Sequence, residues 1–167
     1  LKVLHLMRHA KSSWSQPGLA DRERELNKRG RRDAPRMGIA LSRRIEPVSI
    51  HTSPARRARL TLEGLCSSWP AVATLPHHTE EALYTFSGDD LAYWISARDD
   101  SVGELFLIGH NPALTVLINW LTGEHSLNNL PTAAYARLEL AIPGWSGLDA
   151  GCGVMQDLLL PRSLEKI

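Results

Sequence analysis

Three short segments carry the residue types that could do chemistry. Arg8 and His9 stand in Leu6-Met7-Arg8-His9-Ala10-Lys11-Ser12-Ser13-Trp14. Arg56 and Arg57 stand in Ser53-Pro54-Ala55-Arg56-Arg57-Ala58, and His110 in Gly109-His110-Asn111-Pro112. Guanidinium groups offer planar, paired N–H donors that suit the oxygens of phosphate or carboxylate. The same cations repel a metal ion, so histidines grouped with arginines point to an oxyanion and to no metal. Phosphate chemistry then needs a nucleophile. A neutral imidazole nitrogen can attack phosphorus in line and form a phosphohistidine that water hydrolyses, and His9 is the natural candidate. Arg8, an arginine of the second segment and His110 would hold the equatorial oxygens, where charge gathers in a loose transition state. The chain has no GxxxxGK or GxGxxG run, which argues against a nucleotide-driven kinase or ATPase.

These segments act together only if the fold brings them together. Val3–Met7 reads as a buried strand, and 47–52 and 104–108 as two more, so each segment follows the end of a strand. Apolar residues recur at helical spacing between Ala34 and Ile45, with Asn27 as N-cap and Pro35 tolerable only in the first turns. A second helix is expected over 55–66. Ser87-Gly88-Asp89-Asp90 resembles a capping box ahead of Leu91, Trp94 and Ile95. Asn111 and Pro112 read as N-cap and N1 of an apolar helix ending at Gly123, whose first N–H groups would face the anion. Late strands are expected over 135–141 and 154–160. Strands alternating with helices predict a three-layer α/β/α fold with a mainly parallel central sheet, forming a single domain over 1–167. In such sheets the site lies beyond the carboxyl ends of the strands.

The bulk figures narrow the classes. At 167 residues the chain can bury a core without disulfides. Its 43% hydrophobic and 22% charged content is ordinary for a globular protein, and a net charge of +1 gives no reason to expect nucleic acid or a membrane surface. The basic run Lys28–Arg32 reads as a solvated helix face or as a docking rim for an acidic partner. Cys66 and Cys152 form no CxxC pattern and are expected as buried, inert thiols. No apolar run reaches the ~18 residues of a membrane span and no signal peptide is evident, so a cytoplasmic location is expected. His77 and His78 are adjacent and would face opposite ways in a strand, which excludes a metal pair.

Taken in order, these motifs resemble the histidine phosphatase superfamily over residues 1–125. Its signature is Arg-His followed by Gly or Ala after the first strand. Arg8-His9-Ala10-Lys11-Ser12-Ser13-Trp14 is similar to the SixA-type phosphohistidine phosphatase branch. Arg24-Glu25-Leu26-Asn27-Lys28-Arg29-Gly30 is similar to the family's Arg-x-Leu-Thr-x-x-Gly, with Asn27 in place of Thr. Ser53 to Thr61 fits Ser-Pro-x-x-Arg-Ala-x-x-Thr and thereby singles out Arg57, and Gly109-His110 matches the second-histidine motif. The resemblance implies a phosphoglycerate mutase-like fold, no cofactor, His9 as the phosphorylated nucleophile, and Arg8, Arg57 and His110 as the phosphate pocket. Ala10 stands where mutases have Gly, and Ser15 where they have a phosphate-binding Asn. Ser12 could add a hydroxyl or serve a turn.

Many members of the superfamily protonate the leaving oxygen with a carboxylic acid, and Glu81 stands in the corresponding region. An alkoxide needs that proton. An imidazole, with a conjugate-acid pKa of about 6.5, leaves nearly unaided. A short chain with no firm acid therefore suits a phosphohistidine on another protein, with a small-metabolite phosphomonoesterase of the same mechanism as one alternative. A catalytically silent phosphoprotein-binding module is the alternative from another class. The physiological substrate, the partner and the oligomeric state stay open at this level.

Overall fold

The computed structural model describes residues 1–164. Its core is a six-stranded sheet built from β1 (Lys2–Arg8), β2 (Ile50–Thr52), β3 (His78–Thr79), β4 (Glu104–Gly109), β5 (Tyr135–Leu140) and β6 (Gly153–Leu159). The strand order is β3-β2-β4-β1-β5-β6. The β3–β2, β2–β4 and β4–β1 pairings are parallel, whereas β1–β5 and β5–β6 are antiparallel. The sheet is thus mainly parallel, as the alternation of elements predicts.

β1 shows why both faces must be covered. Leu4 and Leu6 point into one core with Leu105 and Leu107, and Met7 points into the other with Ile50, Phe106 and Ile108. Successive strand side chains alternate between faces, so a strand apolar on both needs a helical layer on each side. Helices α1 (Lys28–Ser42) and α2 (Arg56–Ser68) supply Met37, Leu41, Ala58 and Leu65 to the second core, with the short α3 (Pro70–Ala73) beside them. Helices α4 (Gly88–Ser96) and α5 (Ala113–Thr122) supply Leu91, Ile95, Leu114, Leu117 and Leu121 to the first.

Local signals hold where they are strong. Asn27 caps α1 by accepting from the Gly30 N–H (2.9 Å), and Ser87 caps α4 by accepting from the Asp90 N–H (3.2 Å). The reciprocal half of the capping box is absent, because the Ser87 N–H goes to Thr85 Oγ1 (3.1 Å). Gly123 closes α5 in the left-handed region at φ 70°, where glycine carries no steric cost.

Elsewhere the boundaries move. α1 ends at Ser42 and not Ile45, and it carries Pro35 in its interior, beyond the first turn. α2 extends to Ser68. β2 is only three residues long, and the two-residue edge strand β3 had no sequence signal. α5 starts at Ala113, after a cis Asn111–Pro112 peptide bond. Asn111 still serves the helix start, since its Oδ1 accepts from Thr115 N–H (3.1 Å) and Thr115 Oγ1 (3.0 Å).

Arg29, Arg31 and Arg32 of the basic run are exposed. Cys66 and Cys152 are free thiols of intermediate exposure and are not fully buried. His77 accepts the Ile50 N–H at Nδ1 (2.9 Å) and faces the Val72 carbonyl with Nε2 (2.8 Å), while His78 stacks on His51. Among the described residues no helix is long and apolar enough to cross a membrane.

Candidate active site

The carboxyl ends of β1, β4 and β2 lie side by side, so the three sequence segments converge. Arg8 pairs with Gly109 in register, and the His9 N–H donates to the Gly109 carbonyl (3.1 Å). Two devices set the loop after β1. Helix α1 presses on it at Gly30, where a Cβ would lie 2.2 Å from the Lys11 carbonyl oxygen. Thr61 of α2 accepts the Ala10 N–H at Oγ1 (2.9 Å) and donates its own hydroxyl to the Arg57 carbonyl (2.7 Å). One hydroxyl thereby ties the His9 loop to the helix that carries Arg57.

His9 is 6% exposed. Its Nδ1 lies 2.7 Å from the Ala10 carbonyl, an acceptor only, so Nδ1 carries the proton and Nε2 keeps its lone pair. Arg57 Nε donates toward that lone pair (3.4 Å). Arg57 is itself 2% exposed and tied on all sides. Its Nη1 donates to the Asp21 carbonyl (2.7 Å) and its Nη2 to Asp21 Oδ2 (3.0 Å) and His110 Nδ1 (3.3 Å). His110 must then be the Nε2–H tautomer, donating to Ser53 Oγ (2.8 Å). Tyr84 and Phe86 pack edge-on against the His110 ring. Arg8 donates from Nη1 to the Leu130 carbonyl (3.1 Å), and its buried Nε is left without a partner.

The resulting pocket holds about 220 Å³ and is lined by Arg8, His9, Ser12, Asp21, Arg57 and His110, with Trp14 and Phe86 at its edge. Such a volume suits a phosphoryl group with little around it. The helix after His110 contributes fewer donors than its sequence suggests. The N–H groups of Leu114, Thr115 and Val116 go to the His110 carbonyl, Asn111 Oδ1 and the Pro112 carbonyl. Three N–H groups of the helix start are thus already engaged within the helix entry.

Burial comes first among the causes that keep both histidines neutral. It holds His9 well below the ordinary imidazole range, with His110, Arg57 and Arg8 adding repulsion, and it holds His110 at about 3, with Arg57 next. Neutral imidazole is the form that can attack phosphorus. It also has a stability consequence. The unfolded chain takes up these protons near pH 6.5, whereas folded His110 resists until about pH 3. Stability is therefore complete above pH ~6.5 and declines below it, by about 2 kcal/mol at pH 5 from His110 alone. Urea denaturation at pH 8, 6.5 and 5 should show this decline, with a shallower slope in His110→Asn.

Glu81 lies elsewhere. Its side chain is 74% exposed and forms a two-point ion pair with Arg22 (2.8 and 3.1 Å). That pairing holds its carboxyl below the usual range and keeps it ionised, and Glu81 does not line the pocket. Glu81 is thus the one expected site residue that the structure does not bring to the pocket. Ser15 is also outside the pocket, bonded to Ser13 Oγ (2.8 Å). Ser12 is inside it, accepting from Arg24 Nη2 (2.9 Å), and Arg24 in turn stacks on Trp14 at 3.5 Å.

Sequence reasoning missed Arg24, which also lines the pocket, and above all Asp21. It looked like one acid in a charged run, yet it binds Arg57 and accepts the Tyr84 hydroxyl (2.6 Å). Its position three residues before Arg24 was the available signal. Among the described residues no group of three or more His, Cys, Asp or Glu side chains could hold a metal.

This arrangement of a buried neutral histidine within an arginine cage agrees with the comparisons to known proteins. Residues 4–92 match the family described as the histidine phosphatase superfamily (branch 1), and the chain belongs to that family. It is a histidine-nucleophile phosphatase of SixA-type fold. The uncharacterized protein Rv1276c of Mycobacterium tuberculosis is 31% identical over 166 residues, covering 93% of this chain and all of the relative. The SixA structure from Agrobacterium tumefaciens superposes with a TM-score of 0.80 at 25% identity, over 96% of this chain and 98% of that one. A protein histidine phosphatase SixA complexed with tungstate gives 0.78 at 21%, over 98% and 99%.

Proposed function

We propose that the protein hydrolyses phosphohistidine on another protein through a phosphoryl intermediate on His9 Nε2. The observation that carries this reading is the pocket itself. It is phosphoryl-sized, with His9 at its floor, and it opens directly to solvent past Trp14 and Phe86. Beyond Trp14 and Phe86, no wall among the described residues encloses the organic part of a small substrate, so that part lies outside, as a protein surface would. Arg8 and Arg57 hold the transferring oxygens, with His110 lining the pocket beside them and fixing Arg57 through Nδ1. The phosphoryl leaves the substrate imidazole for His9 Nε2, and water then releases it as phosphate. Because an imidazole leaves with little help, the exposed and paired state of Glu81 is no obstacle. The likeness to SixA structures supports the choice of substrate class.

The test is a panel of phosphohistidine protein, sugar phosphates and nucleotide monophosphates assayed at equal concentration. The expected result is a kcat/KM at least ~10²-fold higher on phosphohistidine, the margin a positioned proton donor gives an ester substrate. Turnover of the small esters alone would show a metabolite phosphomonoesterase instead.

A further inference from the structure

Hydrolysis of a phosphohistidine needs a second participant. Water must enter opposite the departing Nε2, and it must lose a proton as it bonds to phosphorus. His9 and the guanidinium of Arg57 are buried at the floor, so the entering side is the mouth of the pocket. Asp21 stands there, with a side chain 44% exposed, and among the described residues it is the one carboxylate lining the pocket. The other lining groups are unsuited to accept a proton. Arg8, Arg24, Arg57 and Lys11 are cations, Ser12 already accepts from Arg24, and His110 Nδ1 faces a donor on Arg57.

We propose that Asp21 is the catalytic base that takes the proton from the water attacking phospho-His9. This rests on the His9 intermediate proposed above. The groups facing Asp21 hold it ready. Arg57 from α2 binds Oδ2, the Tyr84 hydroxyl donates to the same oxygen, and Arg24 Nε lies 3.5 Å from Oδ1. Although burial raises its pKa, Tyr84, Arg57 and Arg24 together leave the carboxyl below its usual range and ionised. In the step, the water oxygen bonds to phosphorus as the P–Nε2 bond breaks and its electron pair returns to the imidazole. The water proton passes to an Asp21 oxygen, leaving the hydrogen phosphate dianion. His9 keeps its Nδ1 proton on the Ala10 carbonyl throughout, and Asp21 then returns the proton to solvent.

The substitution Asp21→Asn separates this role from support of Arg57. The Asp21 backbone carbonyl still anchors Arg57 Nη1, and the amide oxygen still accepts from Nη2. With p-nitrophenyl phosphate in rapid-quench experiments, the variant should release one equivalent of p-nitrophenol at the wild-type rate and then turn over ~10²–10³-fold more slowly. Acid-labile phosphate should accumulate on His9. The one-equivalent burst also certifies an intact pocket. Two results overturn the assignment: a burst slowed in proportion to turnover, which marks a positioning role, and unchanged turnover. If neither wild type nor variant carries phosphate on His9, the intermediate itself is wrong and Asp21 falls with it.

Discussion

His9→Ala should lose ~10⁴–10⁶-fold in turnover, the range seen when a covalent nucleophile is removed, while still binding a phosphate analogue such as vanadate. The two readouts separate because the residues divide the work. Arg8, Arg57 and His110 are held in place by Leu130, Asp21 and Ser53, so their positions do not depend on an imidazole at the floor. What the variant lacks is the Nε2 lone pair, which the Nδ1–H bond to the Ala10 carbonyl keeps free. Loss of that bond leaves a buried carbonyl unsatisfied and costs about 1–3 kcal/mol, so a small drop in melting temperature should accompany inactivity. Residual turnover above about 1% of wild type, against the loss expected for a nucleophile, would falsify the assignment. So would an acid-labile phosphoryl group on the variant.

Arg57→Ala carries the second largest expected effect, a fall in kcat/KM of ~10³–10⁵-fold, comparable to removing an arginine from other phosphoryl-transfer sites. The side chain touches His9, His110 and both the carbonyl and carboxylate of Asp21. Among the described residues no other joins all three. Arg57→Lys should recover little, because a single ammonium cannot reproduce the fork that spans them. A spectroscopic readout distinguishes this from simple unfolding. Arg57 helps keep His110 neutral, so its removal should raise the His110 pKa, measured by following the ring proton resonances against pH. An unchanged His110 titration alongside full activity would contradict the arrangement described above.

Much of this was legible from the chain alone, for a physical reason. A strand ending in Arg8-His9 and another ending in Gly109-His110 declare both the element and its chemistry within a few residues. Asn27 and Ser87 declare helix starts by the same local logic. What was not legible depends on meetings across long separations. Asp21 becomes part of the site only because the short 3-10 turn it opens meets a helix residue 36 positions later. Glu81 leaves it because Arg22, 59 residues earlier, captures its carboxylate at the surface. Ser15 turns away into a bond with Ser13, which no alignment of motif positions could reveal. The donors of α5 were overestimated because a free helix start was assumed. Asn111 and the first carbonyls had already claimed those N–H groups.

The Thr61 hydroxyl, which joins Ala10 to the Arg57 backbone, has a consequence for how such an enzyme can diversify. It binds nucleophile and cage into one unit, so neither can shift without the other. Trp14, at the far end of the His9 segment, stands mostly in solvent outside that unit, and Phe86 is half-exposed above the His110 ring. Ancestry can therefore rewrite the rim through successive neutral replacements while the reaction below stays intact. A lineage built this way inherits its chemistry as a block and acquires its clientele one surface residue at a time.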